Sequence, residues 1–239
     1  MSFLIIANWK MNGSRSSFTN FIRNLNERFQ STKIELVICP PFTALPDNTE
    51  LTPHIKIGAQ NCHYEEKGAY TGEISAKMLS DLGCSYVILG HSERKLLCGE
   101  TDDKIRSKAY AALAAGLHPI ICIGETLLER EKEKTEEILL KQCRDCLPHE
   151  EEYRGKYTVA YEPVWAIGQK SISDISLITE TIEIIQPNVK SQIIYGGSVN
   201  LINVEELVCT NKLSGFLIGS ASLNFNEFFD IIKKVESLL

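Results

Sequence analysis

An alternation of two patterns constrains this chain most. Short apolar runs rich in β-branched residues occur at Leu4–Ala7, Glu35–Cys39, Ile55–Ala59, Tyr86–Leu89, Pro119–Ile123, Thr158–Tyr161, Gln192–Tyr195 and Gly215–Ile218. Most lack strict in–out alternation, which suits strands buried on both faces of a parallel sheet. Helical stripes lie between them. Phe18, Phe21, Ile22, Leu25 and Phe29 form one; Ile74, Met78, Leu79 and Leu82, closed by Gly83, form another; Ile105, Ala109, Ala112 and Leu113 run to Gly116. Later stripes are Ile175–Ile185, then Leu201, Val204 and Leu207, then Phe225–Val235. Thr126 and Glu129 read as a capping box opening a long helix, with the charge run Glu129 to Glu137 as its solvated face. Pro41 to Pro53 gives the weakest helical pattern.

Eight strands, each followed by a helix at a spacing of about 30 residues, predict an α/β fold: a closed (β/α)8 barrel of eight parallel strands in one domain, 1–239. An open doubly wound sheet is the competitor. It should carry a G-x-G-x-x-G turn after an early strand, and none is present.

Composition narrows the function. A hydrophobic content of 44% supports a sizeable core, and a net charge of −6 argues against a nucleic-acid binder or a basic membrane-surface protein. No apolar run approaches the ~18 residues of a spanning helix. The eight cysteines are scattered and no secretory signal precedes them, which predicts reduced thiols and a cytoplasmic location. Cys143-Arg-Asp-Cys146 is an isolated pair, read as plain thiols. Asn12-Gly13-Ser14 reads as a turn, and His54, His63, His118 and His149 as structural histidines.

In a barrel, chemistry sits at the C-terminal ends of the strands. Those ends carry Asn8-Trp9-Lys10, Gln60-Asn61, His91-Ser92-Glu93, Cys122 to Glu125, and Glu162. Gly196-Gly197-Ser198 and Gly219-Ser220-Ala221-Ser222 follow the last two strands, where backbone N–H groups and a helix start can meet a phosphate. A lysine, a histidine and a carboxylate beside that position suit proton abstraction next to a carbonyl on a small phosphorylated substrate. No metal-ligand spacing occurs among the histidines, and the expectation is an enzyme with neither metal nor cofactor.

Those motifs, in this order, resemble the triosephosphate isomerase family. The matching segments are Asn8-Trp9-Lys10-Met11-Asn12-Gly13, Ala59-Gln60-Asn61-Cys62, Gly68 to Ser75, Gly90-His91-Ser92-Glu93-Arg94, Cys122-Ile123-Gly124-Glu125, Ala160 to Gly168, and Tyr195 to Val199. The resemblance runs through nearly the whole chain and implies a TIM barrel. It also implies interconversion of dihydroxyacetone phosphate and D-glyceraldehyde 3-phosphate through an enediolate, in glycolysis and gluconeogenesis. Glu162 would be the base, His91 a neutral electrophile, Lys10 the electrostatic support, and Asn8 an orienting group. Gly168, Ser198, Gly219 and Ser220 would offer N–H groups to the phosphate. Ser92, Glu93 and Cys122 would support the site, with Glu93 touching Lys10. Pro163, Val164, Trp165, Ala166, Ile167 and Gly168 would form a mobile lid. Met11, Tyr70, Thr71 and Glu73 would lie in a homodimer interface built by the loop at 62–75. Arg94 and Glu100 read as a structural ion pair.

Two positions depart from the family pattern. Gly168 is followed by Gln169-Lys170-Ser171, so the lid is one residue short and lacks its second glycine. Ser220 stands where a second glycine is usual, and its Cβ would crowd the loop if the position needed a positive φ. Two other readings stay open here. A Schiff-base aldolase would need a buried lysine on a strand, whereas Lys10 lies past a strand end. A catalytically dead scaffold barrel would be favoured by loss of Glu162, His91 or Lys10, and all three are present.

Overall fold

The computed structural model describes residues 2–45, 55–166 and 174–239. Strands β1 (Phe3–Asn8), β2 (Ile34–Cys39), β3 (Ile55–Ala59), β4 (Tyr86–Leu89), β5 (His118–Ile123), β6 (Thr158–Tyr161), β7 (Gln192–Tyr195) and β8 (Gly215–Ile218) close into a parallel barrel in sequence order. β1 pairs with β2 from Phe3↔Ile34 to Asn8↔Cys39 and shuts the barrel against β8 through Leu4↔Gly215. Around the barrel lie α1 (Arg15–Arg28), α2 (Ala76–Asp81), α3 (Ser92–Cys98), α4 (Asp102–Ala114), α5 (Leu127–Glu131), α6 (Thr135–Cys146), α7 (Ile175–Ile185), α8 (Val204–Cys209) and α9 (Phe225–Leu238).

The continuous apolar runs arise because each strand serves two cores. Leu4, Ile6, Val37, Cys39, Tyr86, Ile88, Ile120, Cys122, Ala160, Ile194 and Leu217 fill the barrel interior. The alternate residues, such as Ile5 and Ala7, pack outward against helix residues Phe18, Phe21 and Leu25. β3 offers Gly58 to the interior, where a Cβ would come within 2.5 Å of the Cys39 Sγ. A small residue there leaves room for its larger neighbours, as close packing requires.

Several local expectations need correction. The capping box at Thr126 and Glu129 is formed, but it opens only the short α5. The chain breaks at Glu133, whose φ is 55, and α6 starts afresh at Thr135. The charge run therefore spans a helix break rather than one solvated face. α2 has six residues and buries Ala76 and Leu79; Met78 within it and Leu82 at its C-cap, both of the expected stripe, are 52% and 42% exposed. Leu201 precedes α8 and is also exposed. Of Pro41 to Pro53, a 3-10 turn covers Phe42–Ala44, and 46–54, His54 included, lie outside the described residues. Asn12-Gly13-Ser14 forms the irregular link between β1 and α1: Gly13 has φ +90 and Ser14 caps α1.

All eight cysteines are free thiols, and Cys143 and Cys146 are both buried in α6. Burial pushes the Cys143 thiol up to about 12, which leaves it protonated and inert at neutral pH. Arg94 and Glu100 pair at 2.9 Å, and Lys108 joins the same carboxylate from α4.

The floor of the barrel holds a polar cluster. The Tyr86 hydroxyl donates to Glu35 at 2.7 Å, the Tyr86 and His118 rings lie 4.9 Å apart, and His118 Nε2 sits 2.8 Å from Thr158 Oγ1. Burial lowers the His118 pKa to about 4, with the Glu35 charge opposing the shift. The folded state thus excludes a proton that the unfolded chain binds near the ordinary value of about 6.5. The associated stability is present above pH 6.5 and is lost as pH falls from there through 4, on the order of 3 kcal/mol in total. Urea unfolding in steps from pH 7 to 4 should show a shallower decline for His118→Gln than for the parent. Parallel curves would remove His118 from the acid limb.

Candidate active site

The polar strand ends meet at one rim, and the backbone is bent to bring them there. Asn8 ends β1, and its Oδ1 accepts the Lys10 N–H at 3.0 Å. Lys10 adopts φ 54, a left-handed conformation uncommon outside glycine. A strained backbone of this kind costs on the order of 1–3 kcal/mol and clusters at functional sites. Gln60 helps hold it, its Nε2 donating at 2.9 Å to the carbonyls of both Lys10 and Cys39. The Lys10 ammonium pairs with Glu93 at 2.5 Å, and a Cβ placed on Gly219 would lie 3.5 Å from its Cε. The positive charge therefore leans over the Gly-Ser turn after β8.

His91 follows Gly90 and is only 6% exposed. It caps α3, its Nδ1 accepting the Glu93 N–H at 3.2 Å. A peptide N–H can only donate, so Nδ1 carries the lone pair and the proton of the neutral ring sits on Nε2. That Nε2 lies 3.2 Å from Glu162 Oε1. The other carboxylate oxygen accepts the Ser92 N–H at 3.2 Å. Glu162 is 2% exposed, and a Cβ on Gly196 would reach its Cγ at 2.6 Å. Cys122 lies near it, and burial, with the Glu162 charge adding to the effect, raises that thiol well above its ordinary value, so the S–H is retained.

These groups line a cavity of about 500 Å³. One wall holds Asn8, Lys10, His91 and Glu162, and the other runs through Gly196–Asn200 and Gly219–Ala221. Ser220 does not have a positive φ, so its Cβ imposes no backbone strain in the turn after β8. Ser198 Oγ donates to the Ala166 carbonyl at 3.0 Å, tying the turn after β7 to the segment after β6. Among the described residues, no group of three or more His, Cys, Asp or Glu could hold a metal ion.

Pro163 leads into a 3-10 turn, Val164–Ala166. Ile167, Gly168 and the shortened stretch Gln169-Lys170-Ser171 lie outside the described residues. The start of this segment is anchored by Glu125, a fully buried carboxylate that the sequence reading placed at a strand end without a role. Glu125 Oε1 accepts the Trp165 indole N–H at 2.9 Å and Arg130 Nη1 at 2.9 Å, and the Tyr161 hydroxyl lies 3.2 Å from both oxygens. The Arg130 guanidinium also sits 5.0 Å from the Trp165 ring centre. A carboxylate just beyond an apolar strand must find such partners, because burial without them is costly. Met11 is 95% exposed, and Tyr70, Thr71 and Glu73 are exposed in the loop at 62–75, where Tyr70 packs 4.5 Å from the His63 ring.

Fold and site define a class: a (β/α)8-barrel protein with a carboxylate, an imidazole and an ammonium gathered at the rim beside two Gly/Ser turns. A family model described as Triosephosphate isomerase matches residues 3–235. The triosephosphate isomerase of Wolbachia sp. subsp. Brugia malayi (strain TRS) is 56% identical over 237 residues, covering 99% of each chain. That of Wolbachia pipientis wMel is 53% identical, covering 99% of this chain and 95% of the relative. That of Aquifex aeolicus (strain VF5) is 40% identical, covering 97% and 99%. The chain belongs to the triosephosphate isomerase family, and it is an enzyme.

Proposed function

We propose that the chain interconverts dihydroxyacetone phosphate and D-glyceraldehyde 3-phosphate by proton transfer through an enediolate. The observation that carries this reading is the contact of a buried carboxylate with an imidazole, Glu162 Oε1 to His91 Nε2 at 3.2 Å, the ring's Nδ1 being taken up by the Glu93 N–H. Glu162 removes a proton from the carbon beside the carbonyl. His91 Nε2–H donates to the carbonyl oxygen, and Lys10 stabilises the charge that develops there. The same carboxylate then delivers a proton to the neighbouring carbon, while His91 carries the hydroxyl proton from one oxygen to the other, so that the former hydroxyl carbon becomes the carbonyl. The two trioses are isomers, so the cycle balances with no oxidant, reductant or cofactor.

Phosphate binding falls to the N–H groups of Gly168, Ser198, Gly219 and Ser220, next to the Lys10 charge, with Asn8 orienting the substrate. Glu162 starts out bonded to the Ser92 N–H and must leave that donor to reach a carbon acid. Closure of 163–168 over the cavity excludes water and sharpens these electrostatic terms. Met11 and the loop at 62–75 supply the proposed homodimer interface; the exposed Tyr70, 42% accessible, supports it. Residues 1–239 act as one domain. The eight free thiols support a reducing, cytoplasmic setting, and the reaction belongs to glycolysis and gluconeogenesis.

A coupled assay following glyceraldehyde 3-phosphate to dihydroxyacetone phosphate tests the proposal. Enzymatic turnover is expected, and a folded, dimeric chain with none would overturn it. Ser220→Gly should change the affinity of a phosphate-bearing inhibitor by less than tenfold, about 1.4 kcal/mol. A larger gain, read by titration calorimetry, would mean that the serine crowds the anion.

A further inference from the structure

We propose that Gln142 of α6 is a positioning residue, clamping the end of β5 so that both Glu162 and Trp165 are held in place. The inference rests on the isomerase reading of the site above.

Gln142 makes a reciprocal pair with one peptide unit. Its Oε1 accepts the Gly124 N–H at 2.8 Å, and its Nε2 donates to the Gly124 carbonyl at 3.0 Å. A side-chain amide here replaces a neighbouring strand. The ladder between β4 and β5 has ended at Leu89↔Ile121, because the chain turns away at Gly90 toward His91. The N–H and C=O of Gly124 would otherwise face a part-buried position without partners, which the fold avoids.

The clamped residue lies between the two groups that matter. Cys122, two residues before it, faces the barrel interior and pairs with Ala160 on the strand that leads to Glu162. Glu125, one residue after it, holds the Trp165 indole and accepts the Val164 N–H on its carbonyl at 3.1 Å. Gly124 itself packs directly on the Glu162 backbone: a Cβ there would overlap the Glu162 carbonyl oxygen. Glu162 N–H donates to Ile123 O at 2.8 Å. A shift at Gly124 therefore moves the carboxylate from below and the Trp165 anchor from the side. Gln142 does not line the cavity, so its effect on substrate affinity should be small.

The test combines kinetics with the Trp165 indole N–H resonance in ¹⁵N-labelled protein, assigned through Trp165→Phe. Gln142→Leu removes both hydrogen bonds, and Gln142→Glu keeps the size and the acceptor while removing the donor. We expect kcat to fall about tenfold in Gln142→Leu and about threefold in Gln142→Glu, with KM within twofold, since small misplacements of reacting groups carry large rate penalties. The indole resonance should shift in Gln142→Leu. A Gln142→Leu protein that melts earlier but keeps its kcat would make the residue merely structural and overturn the proposal, whatever the resonance does. A fall in kcat with an unmoved resonance would break the link to Trp165 and overturn it as well. If Gln142→Leu does not fold, Gln142→Glu decides by the same kcat and KM readings. A parent without isomerase activity would instead contradict the proposed function, and the resonance would still report on the clamp.

Discussion

Glu162→Gln is expected to lower kcat by roughly 10³–10⁴-fold while KM stays within a few-fold. The substitution preserves shape. The side chain still fits against Gly196, whose missing Cβ leaves the space that the Glu162 Cγ needs. What it removes is the carboxylate proposed to accept a proton from carbon. It also replaces two acceptor oxygens by one oxygen and one NH₂ group, facing two donors, the Ser92 N–H and the His91 Nε2–H. One of those donors then meets another donor, which costs on the order of 1 kcal/mol. The variant should therefore melt slightly earlier than the parent yet remain folded. Steady-state kinetics beside a thermal melt separates the two effects. A folded variant retaining a tenth of the parental kcat would remove Glu162 from the role of base.

Lys10→Met should produce a different signature, a fall in kcat of roughly 10²–10³-fold together with a higher KM. The ammonium is proposed to act twice, on the bound anion and on the enediolate oxygen. Its position follows from the left-handed backbone at Lys10, the two carbonyls bridged by Gln60, and the closeness of Gly219. Removing it also leaves Glu93 without its 2.5 Å partner, but that carboxylate is half-exposed and water can replace the ion pair at little cost. Stability should thus change little. Lys10→Gly sharpens the point: glycine adopts φ 54 without strain, so this variant should melt no earlier than the parent while losing activity. A Lys10→Met enzyme with altered KM and parental kcat would confine the lysine to substrate capture.

The barrel was legible because its strands are buried on both faces, which writes them as uninterrupted apolar runs such as Leu4–Ala7. The helices were less so where the pattern carried no apolar stripe. The stretch around Glu133 is charged on every side, and nothing in it marks the break between α5 and α6. The expected stripe through Met78 and Leu82 fails for another reason: the short α2 buries Ala76 and Leu79, which leaves Met78 within it and Leu82 at its C-cap exposed. At the rim, Lys10, His91 and Glu162 stand out as ionisable groups at the ends of apolar strands. Glu125 stood in an equivalent place, but its role depends on Tyr161, Arg130 and Trp165, which only the pairing of β5 with β6 and the turn of α5 bring together. Gln60 and Gln142 bond to backbone groups, and a glutamine's sequence context carries no mark of which peptide it will meet.

The central claim, that Glu162 moves a proton between adjacent carbons, is tested most directly by running the isomerisation of dihydroxyacetone phosphate in D₂O. The product is trapped as it forms and examined by ¹H NMR. Proton transfer through a carboxylate that exchanges with solvent predicts deuterium at C2 of a substantial fraction of the glyceraldehyde 3-phosphate, formed at the parental rate and nearly abolished in Glu162→Gln. Product free of deuterium would point to direct hydride migration, and deuterated product formed equally fast by Glu162→Gln would assign the base to another group; either result contradicts the account.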